Sequence, residues 1–457
     1  MTATPDTIAA LVLGHFDQLP TKRKPLVRDN GVHEWVPLSA IVAQAGDGKL
    51  TCLSLATGMK CLPHAKLPRA QGNVLHDWHA EVLAIRAFNR FVLDEARSLL
   101  SGGPTACSPF LRRRDESEMQ RIESLDSANG DCRGPDHEQS KGACASSWHG
   151  QPFAWRDDVT LHMYCSEAPC GDASMELTMA AQDDASPWEI PASLAPPLPS
   201  SSPPPPPSSS ISQQQEHPGP LPGRSYFSRL GAVRLKPSRG DAPPTLSKSC
   251  SDKLALAQCT SLLSSLASLL VCPTNTYLES IILPASQRFS TGCRRAFSAS
   301  GRMAAAREYS GQWRGGYRFR GFRVDATDLE FAWSRRSVEA RAGGRLAASN
   351  LAVAWTGHGL EEATLGGTLQ GRKAFDVKGA SFASRRKMWA LSLEVAGMLG
   401  VGMLHARDAL MAASYGEVKK SGLLAARRRV KQDVQAGSLR GWAKNEGDDN
   451  FILWLPH

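Results

Sequence analysis

His79 and Glu81 stand two residues apart in Asp77-Trp78-His79-Ala80-Glu81, pairing a metal-binding imidazole with a carboxylate. Two cysteines follow at wide intervals: Cys170 in Ala168-Pro169-Cys170-Gly171-Asp172-Ala173, and Cys250 in Lys248-Ser249-Cys250-Ser251-Asp252-Lys253. Singly these are weak signals, because a His-x-Glu on a helix is usually surface and a lone cysteine is usually packing. Together they make a defined chemical set. One imidazole and two thiolates bind Zn²⁺ and leave the fourth tetrahedral position open for water, as catalytic rather than structural sites do. Zinc lowers the pKa of its water from about 15.7 to roughly 7, so a hydroxide nucleophile exists at neutral pH. Glu81 is then a proton shuttle and not a ligand.

Each motif falls where a secondary-structure element begins. Residues 79–100 carry Val82, Ile85, Phe88 and Val92 at helical spacing with no Pro or Gly, which predicts a long helix. Val159, Leu161, Met163 and Cys165 alternate with more polar neighbours, the period of a half-buried strand leading into Cys170. Residues 175–181, 253–270, 383–396 and 423–435 read as helices, and 277–283 as a strand. A thiolate at a helix N-terminus has its pKa lowered by the helix dipole and is prepared as a ligand. Strands alternating with helices predict an α/β sandwich around a central sheet. Two stretches break the pattern: polar 101–151, with Arg112, Arg113 and Arg114, and Pro/Ser-rich 186–223. Neither can bury enough apolar surface to offset ordering, so both are expected to be disordered insertions in one domain spanning 1–457, with the arginine run a solvated loop.

The chain is 42% hydrophobic, enough for a real core, and its 53 Lys+Arg against 44 Asp+Glu give a net charge of +9. That excess suits a polyanion, either an RNA partner or an enclosed anion. No stretch reads as a signal peptide or as the roughly 20 apolar residues of a membrane span. Eleven cysteines without a regular framework fit a reduced, intracellular protein, nuclear or cytoplasmic and not secreted.

A His-x-Glu followed by Pro-Cys-x-x-Cys marks the zinc-dependent nucleobase deaminases, in which the glutamate moves protons. Here Ala173 occupies the place of the second cysteine, so a ligand must come from elsewhere, and Cys250 is the candidate. That substitution points to a family. The ordered set His76-Asp77-x-His79-Ala80-Glu81-Val82, Pro169-Cys170-Gly171-Asp172-Ala173-Ser174, Arg234-x-Lys236-Pro237-x-Arg239-Gly240-Asp241 and Ser249-Cys250-Ser251-Asp252-Lys253 resembles the deaminase domain of the RNA-editing adenosine deaminases. The editing enzymes for double-stranded RNA and the eukaryotic deaminases of alanine tRNA share that domain. The basic segment before Cys250 is similar to the tRNA branch, and Thr57-Gly58-Met59-Lys60-Cys61 matches the substrate-side loop. Ser349-Asn350, Gln370-Gly371-Arg372 and Gly441-Trp442 extend the likeness more loosely.

The resemblance implies a cytidine-deaminase-like central mixed sheet flanked by helices, with a basic C-terminal helical extension. It implies hydrolysis of adenosine to inosine next to the anticodon of alanine tRNA, with no DNA or membrane partner. Zn²⁺ would be held by His79, Cys170 and Cys250, with Glu81 catalytic. A buried inositol hexakisphosphate would be held by Arg86, Lys253, Tyr415, Lys419, Trp442, Lys444 and Asp449, with Arg427 and Lys431 as further candidates and Leu256 standing where part of the family has arginine. Such an anion needs many Lys and Arg side chains at once. Thr57, Lys60, Arg234, Lys236 and Arg239 are the expected RNA contacts. Gly315 to Arg323 interleaves aromatics with arginine and reads as a twisted strand with one buried aromatic face. For Asp172 and Ser174, N-terminal charge and capping of the helix are expected. Two alternatives stand beside this reading: a deaminase of double-stranded RNA or free nucleosides, and a non-catalytic zinc-containing RNA-binding protein. The basic segment and the lack of room for extra RNA-binding domains oppose double-stranded RNA, and the large basic C-terminal half opposes a small nucleoside. Glu81 opposes the non-catalytic protein, because zinc binding does not need it.

Overall fold

A computed structural model of the chain describes residues 3–119, 149–181, 221–223, 229–236, 242–400 and 404–453. Among them the main sheet has eight strands: β1 (Leu38–Gln44), β2 (Leu50–Thr57), β3 (Thr160–Cys165), β4 (Leu278–Pro284), β5 (Arg323–Thr327), β6 (Leu351–Thr356), β7 (Glu361–Leu365) and β8 (Thr368–Leu369). Their spatial order is β5-β4-β3-β1-β2-β6-β7-β8. β4 runs parallel to β3 and β5, and the other neighbouring pairs are antiparallel, which makes the sheet mixed as expected.

The period-2 alternation sends each strand's side chains to two separate cores. Ala40 and Val42 face helix α1 (Pro5–Asp17), which buries Ile8, Ala9, Val12 and Phe16 against them. Ile41 and Ala43 face helix α2 (Ala80–Ser101), which contributes Leu83, Ala84, Ala87, Phe88 and Phe91. Each large aliphatic or aromatic side chain so buried contributes about 1.5–3 kcal/mol. The sheet therefore fixes the long helix, and the helix fixes the residues at its start.

Four expectations change on inspection. The helix expected over 253–270 is Cys250–Thr260, starting earlier and stopping at Ser261, whose φ is 59°. The Arg427 guanidinium donates to the carbonyls of Thr260 and Leu263, anchoring that break. Residues 101–119 and 149–151 of the expected insertion are structured: Leu111–Arg113 pairs antiparallel with Phe153–Trp155. In the arginine run, Arg112 pairs with Glu118, and Arg114 is 8% exposed and donates to the His149 and Gln151 carbonyls. The rest of that stretch, and residues 186–220 of the second, lie outside the described residues. The C-terminal helices are no appendage, because Met388, Trp389, Val395, Leu410, Val430 and Val434 join the α2 core. Finally, the strand in the Gly315–Arg323 segment begins only at Arg323, although Tyr317 is buried as expected.

Candidate active site

Three chain segments meet at the start of α2. The first is the loop before it, held as a short ladder against residues 58–62. Leu62 N donates to His76 O at 2.8 Å, Trp78 N to Lys60 O at 3.0 Å and Ala80 N to Gly58 O at 2.8 Å. Gly58 has φ of 135°, and a Cβ there would sit 2.2 Å from the Trp78 carbonyl, so the ladder closes only with glycine. The second and third segments carry the two thiols. Cys250 N donates to Cys170 Sγ at 3.3 Å, and Ser251 N to the Cys170 carbonyl at 3.0 Å. Gly171, with φ of 104°, lets them touch: a Cβ would lie 2.3 Å from Ser249 Oγ. Helix α3 (Met175–Ala180) follows Cys170, and Cys250 opens helix α4 (Cys250–Thr260), capped by Ser249 Oγ accepting from Asp252 N.

Asp77 is the hub. Its Oδ1 accepts from His79 N at 3.0 Å and lies 2.9 Å from His79 Nδ1. Its Oδ2 accepts from Lys236 Nζ at 2.8 Å, from Ser247 Oγ at 2.6 Å, and from Lys253 Nζ. Lys236 Nζ also reaches Cys250 Sγ at 3.2 Å, so one buried ammonium joins the carboxylate to the thiol. Burial pushes Asp77 up, but the Lys236 and Lys253 cations hold it well below the ordinary carboxylate range. Burial opposes the Lys236 charge, yet Asp77 and the Cys250 and Cys170 sulfurs keep its pKa well above the lysine norm. The hydrogen bond with the Cys250 thiol, helped by the charges of Lys236 and His79, brings Cys170 down to about 6, a thiolate at neutral pH. Burial, with the neighbouring Cys170 thiol, pushes Cys250 up.

Glu81, in the first turn of α2, is 7% exposed. Among the described residues its carboxylate has no hydrogen-bond partner, and its charge acts on the thiols of Cys165, Cys170 and Cys250. The Glu81 oxygens are not among the fully buried atoms without a partner, so the carboxylate keeps access to water and is free to accept a proton there. The donor set suits zinc in kind: two thiols in contact, an imidazole whose charge acts on Cys170, and a carboxylate behind the imidazole to orient it. Among the described residues, however, the group of possible ligands whose atoms all lie within 4.8 Å of one another is Cys61, Asp77 and His79, with Cys61 Sγ 3.7 Å from His79 Nδ1, and the expected partners Cys170 and Cys250 are not part of it. Both Asp77 oxygens already accept hydrogen bonds, which suits it to orienting the site more than to ligation.

A cavity of about 270 Å³ lies beside α2 and α4. Arg86, Lys253, Tyr415, Trp442, Arg427 and Lys431, which the resemblance offered as holders of a polyanion, are among its lining residues. Arg385 lines it too and was missed; its signal was the Arg385-Arg386-Lys387 run opening a helix behind Ser384. Lys419 and Asp449 pair at 3.1 Å outside the lining, and Lys444 is exposed. Leu256 lines the wall in place of a cation. Burial, together with the Arg427 and Lys419 charges, brings Lys431 down to about 7.

Most expected RNA contacts lie inside the protein. Thr57 is 2% exposed, and its hydroxyl accepts from Val353 N at 3.1 Å. Arg234 is 1% exposed and donates to the Gly223 and Arg229 carbonyls. Lys236 is 4% exposed on the hub, where the local charges are the thiols and Asp77. Their types suggested phosphate binding, but the fold uses these side chains to hold the site together. Lys60 is exposed with its ammonium on Asn350 Oδ1, and Arg239 lies outside the described residues. Asp172 pairs with Arg295, while Ser174 makes no capping bond and donates to the Pro169 carbonyl instead.

The sequence model of the adenosine-deaminase (editase) domain matches residues 54–124 and 135–446. A protein of Schizosaccharomyces pombe named tRNA-specific adenosine deaminase 1 is 30% identical over 453 residues, covering 98% of this chain and 96% of its own. Proteins of the same name from Saccharomyces cerevisiae and Homo sapiens are 30% identical over 265 residues and 35% over 106. They cover 57% and 20% of this chain, and 54% and 20% of their own lengths. Among the described residues, no helix is long and apolar enough to cross a membrane.

Proposed function

The chain belongs to the adenosine-deaminase (editase) domain family, and from that premise we propose that it hydrolyses adenosine to inosine in transfer RNA, at the base 3′ of the anticodon of alanine tRNA. The observation that carries the chemistry is the Glu81 carboxylate, which has no hydrogen-bond partner among the described residues and whose charge acts on the thiols of Cys170 and Cys250. His79, Cys170 and Cys250 would hold zinc, which when bound supplies water acidified toward neutral pKa. Glu81 takes a proton from the attacking water and gives it to the purine ring nitrogen, then takes the second proton from the added hydroxyl and gives it to the amino group, which leaves as ammonia. Asp77 holds the His79 ring, and Lys236 neutralises the Cys250 thiolate. The target base must leave its stack to reach the site, at a cost of a few kcal/mol that is smaller in a loop. Incubating the purified protein with alanine tRNA and sequencing for inosine tests the reading; no inosine would end it.

Two sulfurs compete as the third ligand, and their variants separate them. Cys250→Ser is expected to lose zinc and activity, while Cys61→Ser keeps its zinc. Metal analysis of both proteins decides, and the reverse result would move the site onto Cys61.

The cationic cavity fits inositol hexakisphosphate, the cofactor we assign to it. Its residues make a prediction that does not depend on activity. An unfolded lysine titrates near about 10.4, whereas Lys431 in the fold does so at about 7. Between those values the unfolded chain binds more protons, so stability rises with pH. Zinc-loaded, anion-free protein should therefore melt higher at pH 9 than at pH 7, with the slope reduced in Lys431→Met. Added inositol hexakisphosphate should raise the melting temperature and flatten the slope. Identical slopes for both proteins would show that Lys431 is not under this strain.

A further inference from the structure

With Thr57, Arg234 and Lys236 turned inward, the RNA must be held by other groups. A second set of cations stands beside the same motif. The chain leaves the ladder after Leu62, makes the turn His64–Arg69, and returns to His76 and Asp77. The loop of residues 371–379 packs on this turn: Arg69 lies over the Phe375 ring at 4.4 Å, and Asn73 Nδ2 donates to the Phe375 carbonyl at 3.2 Å. Leu75 N donates to Gly367 O at 2.9 Å, tying the base of this loop to the same return. The ridge thus formed carries Lys66, Arg69, Arg372, Lys373 and Lys378, all exposed, against one carboxylate, Asp376.

None of these five cations has an ion-pair partner among the described residues, and Asp376 is occupied in accepting from Lys378 N at 2.8 Å. Some exposed arginines elsewhere sit on acids, as Arg323 on Glu279 and Arg429 on Asp433 do. Unpaired cations clustered on two cross-braced loops concentrate positive potential at a fixed place. The exposed parts of the site, Lys60 and the partly open Cys61 and His79, lie on the ladder from which the ridge rises. We infer that the ridge of Lys66, Arg69, Arg372, Lys373 and Lys378 binds the phosphate backbone of the structured RNA whose base enters the site. This rests on the deaminase reading given above. Its role is positional, since phosphate contacts set the register of a strand and carry no sequence information.

The test uses the full zinc-loaded chain and an alanine tRNA transcript, with filter binding over a range of NaCl. The variant is Lys66→Gln/Arg372→Gln/Lys373→Gln/Lys378→Gln, which leaves the Arg69–Phe375 brace intact. Each lost phosphate contact removes about 0.7–0.9 from the slope of log affinity against log salt. We expect a slope shallower by about 3 and affinity lower by at least about tenfold near 0.1 M salt. A companion carrying Lys66→Arg/Lys373→Arg/Lys378→Arg should bind as the parent does. An unchanged slope and affinity in the glutamine variant overturns the ridge, whether or not it meets some acidic protein instead. If the parent makes no inosine but the glutamine variant still loses affinity for tRNA, the deaminase reading falls and the ridge stands as an RNA surface.

Discussion

Glu81→Gln should stop turnover while leaving a folded protein that holds zinc and tRNA. The amide has nearly the shape of the carboxylate but cannot take a proton from water. General acid–base groups contribute about 10²–10⁴-fold to rate, and Glu81 is assigned both the uptake and the return of the proton. A fall in kcat toward the upper end, with little change in KM, is the expected result. The surroundings add a second readout. A carboxylate with no donor among the described residues adds no pairing to the fold, so removing its charge should leave the melting temperature unchanged or higher. Turnover within about tenfold of the parent would remove Glu81 from its role. A marked loss of stability would instead show that it is a structural residue.

The second large effect belongs to Asp77→Asn. This change leaves the Lys236 and Lys253 ammonium groups facing a neutral amide, with Lys236 4% exposed. Removing one partner of a buried charge cluster costs about 3–5 kcal/mol, because the remaining charge stays out of water. Denaturant unfolding should show a loss of that size, accompanied by loss of zinc as the His79 ring is freed. The pH dependence follows from the depressed folded pKa. The stabilisation from Asp77 is complete above the unfolded carboxylate value of about 3.9 and fades as pH falls below it, toward the lower value in the fold. The asparagine variant should lack that part of the acid slope. A cost below about 1 kcal/mol would mean that the lysines find other partners, and the hub would not be one.

The chemistry was legible because its residues are rare types in fixed local frames. His79 and Glu81 share one helix start, Cys170 follows a strand, and Cys250 begins a helix, so local pattern located all of them. Ala173 in place of a cysteine points to Cys250, whose backbone nitrogen is 3.3 Å from Cys170 Sγ. What stayed hidden depends on long-range closure. Lys236 meets Asp77 across 159 positions, and no local pattern tells a cation aimed at an internal carboxylate from one aimed at phosphate. Arg234, whose guanidinium donates to the Gly223 and Arg229 carbonyls, and Thr57, whose hydroxyl accepts from Val353 N, likewise take their roles from partners the local pattern does not show. The end of α4 at Ser261 has no proline or glycine to announce it, since Arg427, 167 positions beyond Thr260, binds the freed carbonyl. The edge strand Leu111–Arg113 lies in a polar stretch and exists through its pairing with Phe153–Trp155.

His76, one residue before the hub, is bonded to Asp448 at 2.7 Å, 372 positions later, and Asn73 is bonded to Arg386 across 313. At the ribosome, where synthesis runs at about 5–20 residues per second, the loop that carries the catalytic motif waits roughly 20–75 s for its last partner to emerge. For most of that interval the apolar face of α2 also lacks Trp389 and Val395, which belong to its core. The nascent chain thus carries an unfinished interior for most of its own synthesis, a long window in which a chaperone would have something to hold.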